Sequence, residues 1–217
     1  MIQLLIFDLD GTLIDSRLDL ANAVNATRRH MGRDPLPNER VYTYVGNGAP
    51  ILIRRAMGDQ ATDAEVQEAL EFFLEYYGQH DLDNTVLYPG VREAVDRLRD
   101  AGKHLAVLTN KPVRMSRHIV DGLGLGAHFF QVYGGNSFEF KKPNPVGVQA
   151  LMTESAVARE AALMVGDSSV DVHTARNARI RCCGVTYGFQ PESLADPAPD
   201  VLVDRMEQMA DWVLEKG

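Results

Sequence analysis

Near the amino terminus an apolar run, Leu4–Phe7, is followed at once by Asp8, Leu9, Asp10, Gly11 and Thr12. Continuous apolar residues bounded by a turn signal read as a strand buried on both faces, the habit of parallel sheets covered by helices. Ligands gather at the carboxyl ends of such strands. Side chains two apart in a strand share a face, roughly 6.5–7 Å apart along the chain, so Asp8 and Asp10 are expected to converge on one small volume. Two buried like charges repel, and the pair therefore implies either a bound cation or one carboxyl held protonated. Either outcome is chemistry rather than packing.

Three more groups of chemistry-bearing residues follow predicted strands. Thr109-Asn110 closes the short apolar run His104–Leu108. Lys142 lies in the loop after Phe129–Tyr133, and Gly166-Asp167 closes Ala162–Val165, with Asp171 four residues on. Taken singly, each has a bland explanation: Asp10-Gly11 as a plain turn, Thr109-Asn110 as a helix entry, Lys142 as a solvated lysine, Asp171 as a first-turn acid favoured by the helix dipole. Their common placement after strands, on one edge of a sheet, is what chance would not produce.

The elements that must position them alternate. Helical spacing over Val91–Leu98, ended by Gly102, precedes the strand His104–Leu108; further helices run from Pro112 to about Gly122 and over Val146–Thr153. The strands Ala162–Val165, Arg181–Val185 and Val201–Val203 and a terminal helix over Met206–Leu214 complete the pattern. Strands alternating with helices predict an α/β fold with a Rossmann-like, doubly wound parallel sheet. The alternation is interrupted once. Between Ser16 and His80 there is no convincing strand, only helical segments over about 17–31, 39–45 and 50–57 and a longer one opened by a capping box, Thr62 and Glu65. Ser16 with Asp19 is expected to cap the first of these in the same way. The expected organisation is a catalytic core of residues 1–15 and 82–217 with a helical cap, 16–81, inserted after the first strand.

Composition limits what such a core can serve. With 22 Lys and Arg against 30 Asp and Glu, net charge −8, and no basic stripe, the chain is not expected to track nucleic acid. No stretch approaches the ~20 apolar residues of a membrane span. The two cysteines, Cys182 and Cys183, are adjacent and poorly placed to pair, which suits a reduced, cytoplasmic setting. The six histidines share no metal-ligand spacing, and the alternating glycines of Gly122–Gly126 follow a helix, not a strand, so neither a zinc site nor a dinucleotide fingerprint is expected.

Together the four groups resemble the four motifs of the haloacid dehalogenase-like phosphatase superfamily, the resemblance covering the whole chain. It implies that Asp8 attacks phosphorus and that Asp10 is the general acid and base. It further implies that Thr109 and the Asn110 amide hold the phosphoryl oxygens and that Lys142 neutralises nucleophile and phosphoryl group. A magnesium ion would be held by Asp8, the Asp10 backbone carbonyl and Asp167, while Asp171 keeps the lysine or a metal-bound water in place. The cation preference agrees with a site of few carboxylates and water, and positive charge is what a carboxylate needs to approach a phosphate.

Within that superfamily, Asp10 argues against a dehalogenase, which needs no acid for its leaving halide. Thr12 stands where hexose-phosphate mutases typically have Val. Val45-Gly46-Asn47-Gly48 followed by Leu52 and Arg54-Arg55 is similar to the cap signature of phosphoglycolate phosphatases. The expected reaction is hydrolysis of a small phosphorylated metabolite such as 2-phosphoglycolate, with a mutase as the alternative enzyme and a catalytically silent binding module as the alternative of another kind. Because the core motifs would touch only phosphate and metal, specificity is expected to reside largely in the insert, whose closure would exclude water, with Arg55 or the backbone amides of Gly46-Asn47-Gly48 reading the substrate carboxylate. Two positions depart from the family pattern: Val170, where relatives often carry Asn, and Arg179, where they often carry Gly. Monomer and homodimer are equally open.

Overall fold

The computed structural model describes residues 1–215. The chain divides into two compact units, Met1–Asp15 with Leu87–Gly217, and Ser16–Val86.

In the first unit, β1 (Leu4–Phe7) is fully buried, and the chain leaves it through a tight turn to β2 (Ile14–Asp15). The helices of the second unit are α1 (Arg17–His30), α2 (Asn38–Tyr42), α3 (Ala49–Met57) and α4 (Asp63–His80), before β3 (Val86–Leu87), which pairs with β2. Then follow α5 (Val91–Asp100), β4 (His104–Leu108), α6 (Val113–Gly122), β5 (Gln131–Tyr133), α7 (Val146–Ser155), β6 (Ala162–Gly166), α8 (Ser169–Ala178), β7 (Arg181–Val185), β8 (Val201–Val203) and α9 (Met206–Glu215).

The main sheet has the order β5-β4-β1-β6-β7-β8, with every pairing parallel. Numbered without the two short strands, that is 3-2-1-4-5-6, the doubly wound order whose reversal beside the first strand opens a crevice for ligands. Alternation along β1 sends Leu4 and Ile6 into a cluster with Val148 and Leu151 of α7 and Val172 and Ala175 of α8. Phe7, on the other face, meets Phe129 edge-on with ring centroids 6.1 Å apart. Register decides what stands at the carboxyl edge. Phe7 lies opposite both Val107 and Val165, and Leu108 opposite Tyr133, so the residues after β1, β4, β5 and β6 emerge side by side.

The second unit is built on α1 packed against α4, with α3 also on α4. Thr62 caps α4 as expected, accepting from the Glu65 N–H while Glu65 accepts from the Thr62 N–H at 2.8 Å. The matching expectation for α1 fails. Ser16 makes no side-chain cap bond there, and the Asp19 carboxylate is committed elsewhere. It accepts the Asn84 N–H at 2.9 Å and side-chain amide at 2.7 Å, and the Thr85 N–H and hydroxyl at 2.8 Å each. These four bonds tie residues 84 and 85 to α1, and the unit accordingly runs to Val86. The second helix also stops at Tyr42, three residues before Val45.

Arg179 explains itself here. It ends α8 in the left-handed region, φ 59° and ψ 39°, with its N–H on the Arg176 carbonyl and the Ile180 N–H on that of Ala175, a Schellman closure. Its side chain is exposed, so replacement forfeits backbone strain and little contact. Arg179→Gly is expected to raise stability by about 0.5–1 kcal/mol, read as a melting temperature about 1–4 °C higher.

Candidate active site

Beyond Phe7 the chain is a turn, not a continuing strand. The Leu9 carbonyl accepts the N–H groups of Thr12, Leu13 and Ile14 at 3.2, 3.0 and 3.1 Å, and the Gly11 N–H reaches Ile14 O at 2.9 Å. Gly11 has φ +85°, and a Cβ there would fall 2.3 Å from an Asp167 carboxylate oxygen, so both backbone and space demand glycine. This turn leaves the two carboxylates with different partners. Asp8 goes to one lysine and Asp10 to another.

Asp8 is held by the sheet, its N–H on Val165 O at 2.9 Å. Its Oδ1 accepts from the Leu9 N–H at 2.7 Å and from Lys142 Nζ at 2.9 Å. Lys142 also donates to Asp171 Oδ1 at 2.7 Å, and with only 4% of its surface exposed it is no solvated lysine. Asp171, fully buried in the first turn of α8, uses its other oxygen to accept from the Ser168 N–H at 3.2 Å and hydroxyl at 2.8 Å. Ser168, three residues before Asp171 in the same capping spacing read at Ser16 and Asp19, fixes the residue that fixes the lysine. Asp167 Oδ2 accepts the Phe189 N–H at 2.6 Å, and Thr12 Oγ1 approaches Oδ1 at 3.4 Å. Thr12, useful in sequence only for telling branches apart, thus touches the site.

Oxygens of Asp8, Asp167 and Asp171 all lie within 4.8 Å of one another, every one of the three residues buried. Burial, and then the neighbouring Asp171 and Asp8, push Asp167 up to about 8. Burial likewise raises Asp8, to about 6, against the opposing pull of Lys142. For Lys142 burial works toward neutrality, but Asp171 and Asp8 outweigh it and hold the ammonium above its ordinary range. Three buried carboxylates facing one ammonium leave a surplus of negative charge. A hard divalent cation with oxygen ligands fits that donor set.

Thr109 and Asn110 stand beside this cluster, at the end of β4. The Thr109 N–H bonds Tyr133 O at 3.0 Å, and Asn110 Nδ2 donates to the backbone carbonyl of Lys142 at 3.2 Å. One residue further, Lys111 was missing from the expected set. Its Nζ lies 3.0 and 3.2 Å from the two oxygens of Asp10, with the lysine side chain 4% exposed. The available signal was its position directly after Thr109-Asn110. Arg55 belongs to the second unit, in α3, where it is exposed and donates to Tyr44 O at 3.2 Å.

A model of the haloacid dehalogenase-like hydrolases matches residues 5–185. The chain belongs to that family. It is 39% identical to a phosphoglycolate phosphatase of Pseudomonas fluorescens Pf0-1, over 98% of this chain and 80% of the relative. With one of Vibrio vulnificus CMCP6 it shares 40% identity over 98% and 96%. The crystal structure of a predicted phosphoglycolate phosphatase from Haemophilus somnus 129pt superposes with a TM-score of 0.91 at 31% identity, covering 100% of this chain and 98% of that one. Among the described residues, no helix is long and apolar enough to cross a membrane.

Proposed function

We propose that this chain is a magnesium-dependent phosphomonoesterase that works through a phosphorylated Asp8, with 2-phosphoglycolate or a similarly small acid phosphate as substrate. The observation that carries the reading is the division of labour between two carboxylates two residues apart. Asp8 points at Lys142 among the buried acids, whereas Asp10 is paired separately with Lys111. Groups given different surroundings can take different roles.

In the first step an Asp8 oxygen attacks phosphorus, the ester P–O bond breaks, and Asp10 gives its proton to the leaving alkoxide. In the second, Asp10 takes a proton from water, whose oxygen attacks phosphorus and breaks the bond to Asp8, releasing phosphate. Lys142 balances charge on Asp8 and the phosphoryl oxygens in both steps, and Thr109 and Asn110 orient those oxygens. Asp8 and Asp167 would hold the metal, with the Asp10 carbonyl assigned by the family resemblance. When bound, it supplies the positive charge that lets an anion approach a phosphate. The relatives' names, phosphoglycolate phosphatase, support the substrate class.

Phosphate release by the purified chain with magnesium, measured on 2-phosphoglycolate, sugar phosphates, nucleotides and pyrophosphate, tests the reading. Fast release from 2-phosphoglycolate is expected, and none from any ester would sink it. A phosphoenzyme persisting for minutes would assign the chain to the mutases instead. The same panel with Arg55→Ala tests the insert's arginine, which stays in the account only if activity on the acid phosphate falls relative to a neutral one.

Metal binding has a readout of its own. At a magnesium concentration about 100 times its dissociation constant, the folded state gains about 2.7 kcal/mol, about 5–10 °C in melting temperature for a chain of this size. Asp167→Asn is expected to abolish that rise. In EDTA the same variant should melt no lower than the wild type, because burial and the neighbouring Asp171 and Asp8 already disfavour the ionised form of the carboxyl it replaces. An undiminished magnesium shift in Asp167→Asn would remove that residue from the metal site.

A further inference from the structure

We infer that Lys111 determines specificity: its ammonium, held on Asp10, recognises a negative charge carried by the substrate's leaving group close to the ester oxygen. The inference deepens the proposed phosphatase reading and rests on it.

The two buried lysines of the site are divided between its carboxylates. Lys142 serves Asp8 and Asp171, on the side of the phosphoryl group. Lys111 serves Asp10, on the side of whatever departs, with Nζ 3.0 and 3.2 Å from the two carboxylate oxygens. Its backbone is fixed from several directions. The Lys111 N–H donates to Thr109 Oγ1 at 3.2 Å, and its carbonyl accepts the Gly135 N–H at 2.8 Å. A Cβ on Gly134 would come within 2.6 Å of that same carbonyl, so the loop after β5 closes directly on it. The ammonium is therefore delivered from a rigid sheet edge rather than from a mobile arm.

An acid that protonates the ester oxygen must lie within hydrogen-bond reach of it. An ammonium bonded to that acid then stands beside the atoms one or two bonds beyond the ester oxygen. In 2-phosphoglycolate a carboxylate occupies that place, one methylene away. It can share the ammonium through a charge-assisted bond, which a neutral group forms only weakly and a cation opposes. Discrimination is strong where a site is built around a buried polar group, because a substrate lacking the complement leaves that group poorly compensated. Part of the specificity expected in the insert is thereby assigned to the sheet edge.

The test compares wild type, Lys111→Met and Lys111→Arg on 2-phosphoglycolate and on 2-hydroxyethyl phosphate, an ester of the same length with a neutral end, at saturating magnesium. Lys111 touches the acid-base residue, so activity on both esters is expected to fall in Lys111→Met; the informative quantity is the ratio of kcat/KM values. That ratio should drop by about 30-fold, mainly through KM for the acid phosphate, and Lys111→Arg should keep most of it. Activity on the neutral ester reports that the variant is folded. Where turnover is too slow to read, the ratio of dissociation constants for the two esters in an Asp8→Asn background replaces it. Equal losses on both esters, or a wild type without preference for the acid phosphate, overturn the assignment and leave the phosphatase reading standing. Absence of hydrolysis of every ester by the wild type overturns that reading, and this one with it.

Discussion

Asp8→Asn is expected to lower turnover by about 10,000-fold or more and to eliminate the phosphoenzyme, because an amide oxygen lacks the nucleophilicity of the carboxylate it replaces. The loss should be chemical rather than structural. Asn keeps an oxygen able to accept the Leu9 N–H and Lys142 bonds now made at 2.7 and 2.9 Å, and Lys142 retains Asp171 at 2.7 Å. Burial already raises the Asp8 carboxyl to about 6, so its ionised form is disfavoured in the fold, and neutralising it removes a cost. The melting temperature in EDTA should therefore stay within the shift expected of about 1 kcal/mol. Acid-quenching the enzyme during turnover and measuring the intact mass gives the decisive reading. A phosphorylated species in Asp8→Asn would place the nucleophile on another residue.

Asp8 was legible in sequence because β1 announces itself: four apolar residues, then two acids and a glycine, fix both the buried strand and the edge where its loop emerges. Register then carried Asp167, Thr109 and Lys142 to the same edge, since each follows a strand that pairs in parallel with a neighbour in this sheet. What sequence did not show was the turn after the strand: the three N–H bonds to Leu9 O bend the chain there, and each acid has its own lysine. Lys111 escaped notice because a lysine before a proline at a helix entry looks solvated, and only the loop of Gly134 and Gly135 folding over it shows otherwise. Backbone donors such as the Phe189 N–H on Asp167 have no sequence signature at all, since every residue but proline carries one. Asp19 failed for a related reason. A local capping pattern was legible, but its competitors, Asn84 and Thr85, lie some 65 residues away in the chain.

Lys142→Met should be the most damaging single change in stability and among the most damaging in catalysis, for two separable reasons. The ammonium is buried and bonded to two carboxylates, at 2.9 and 2.7 Å, so its removal leaves Asp8 and Asp171 facing each other without a counter-charge, at a cost of about 3–5 kcal/mol. Turnover should fall by about 1,000-fold or more, since the cation that offsets charge on the nucleophile and the phosphoryl oxygens is gone. A single variant cannot tell which loss causes the other. Adding Asp171→Asn to Lys142→Met removes one of the two stranded charges while keeping an oxygen for Ser168, whose N–H and hydroxyl now reach Asp171 at 3.2 and 2.8 Å. The double variant should recover most of the lost melting temperature, measured in EDTA, and none of the lost turnover. If activity returns with stability, Lys142 is a structural counter-ion whose removal merely loosens the site. If stability returns alone, the lysine acts on the reacting groups, and the carboxylate behind it serves to hold it there.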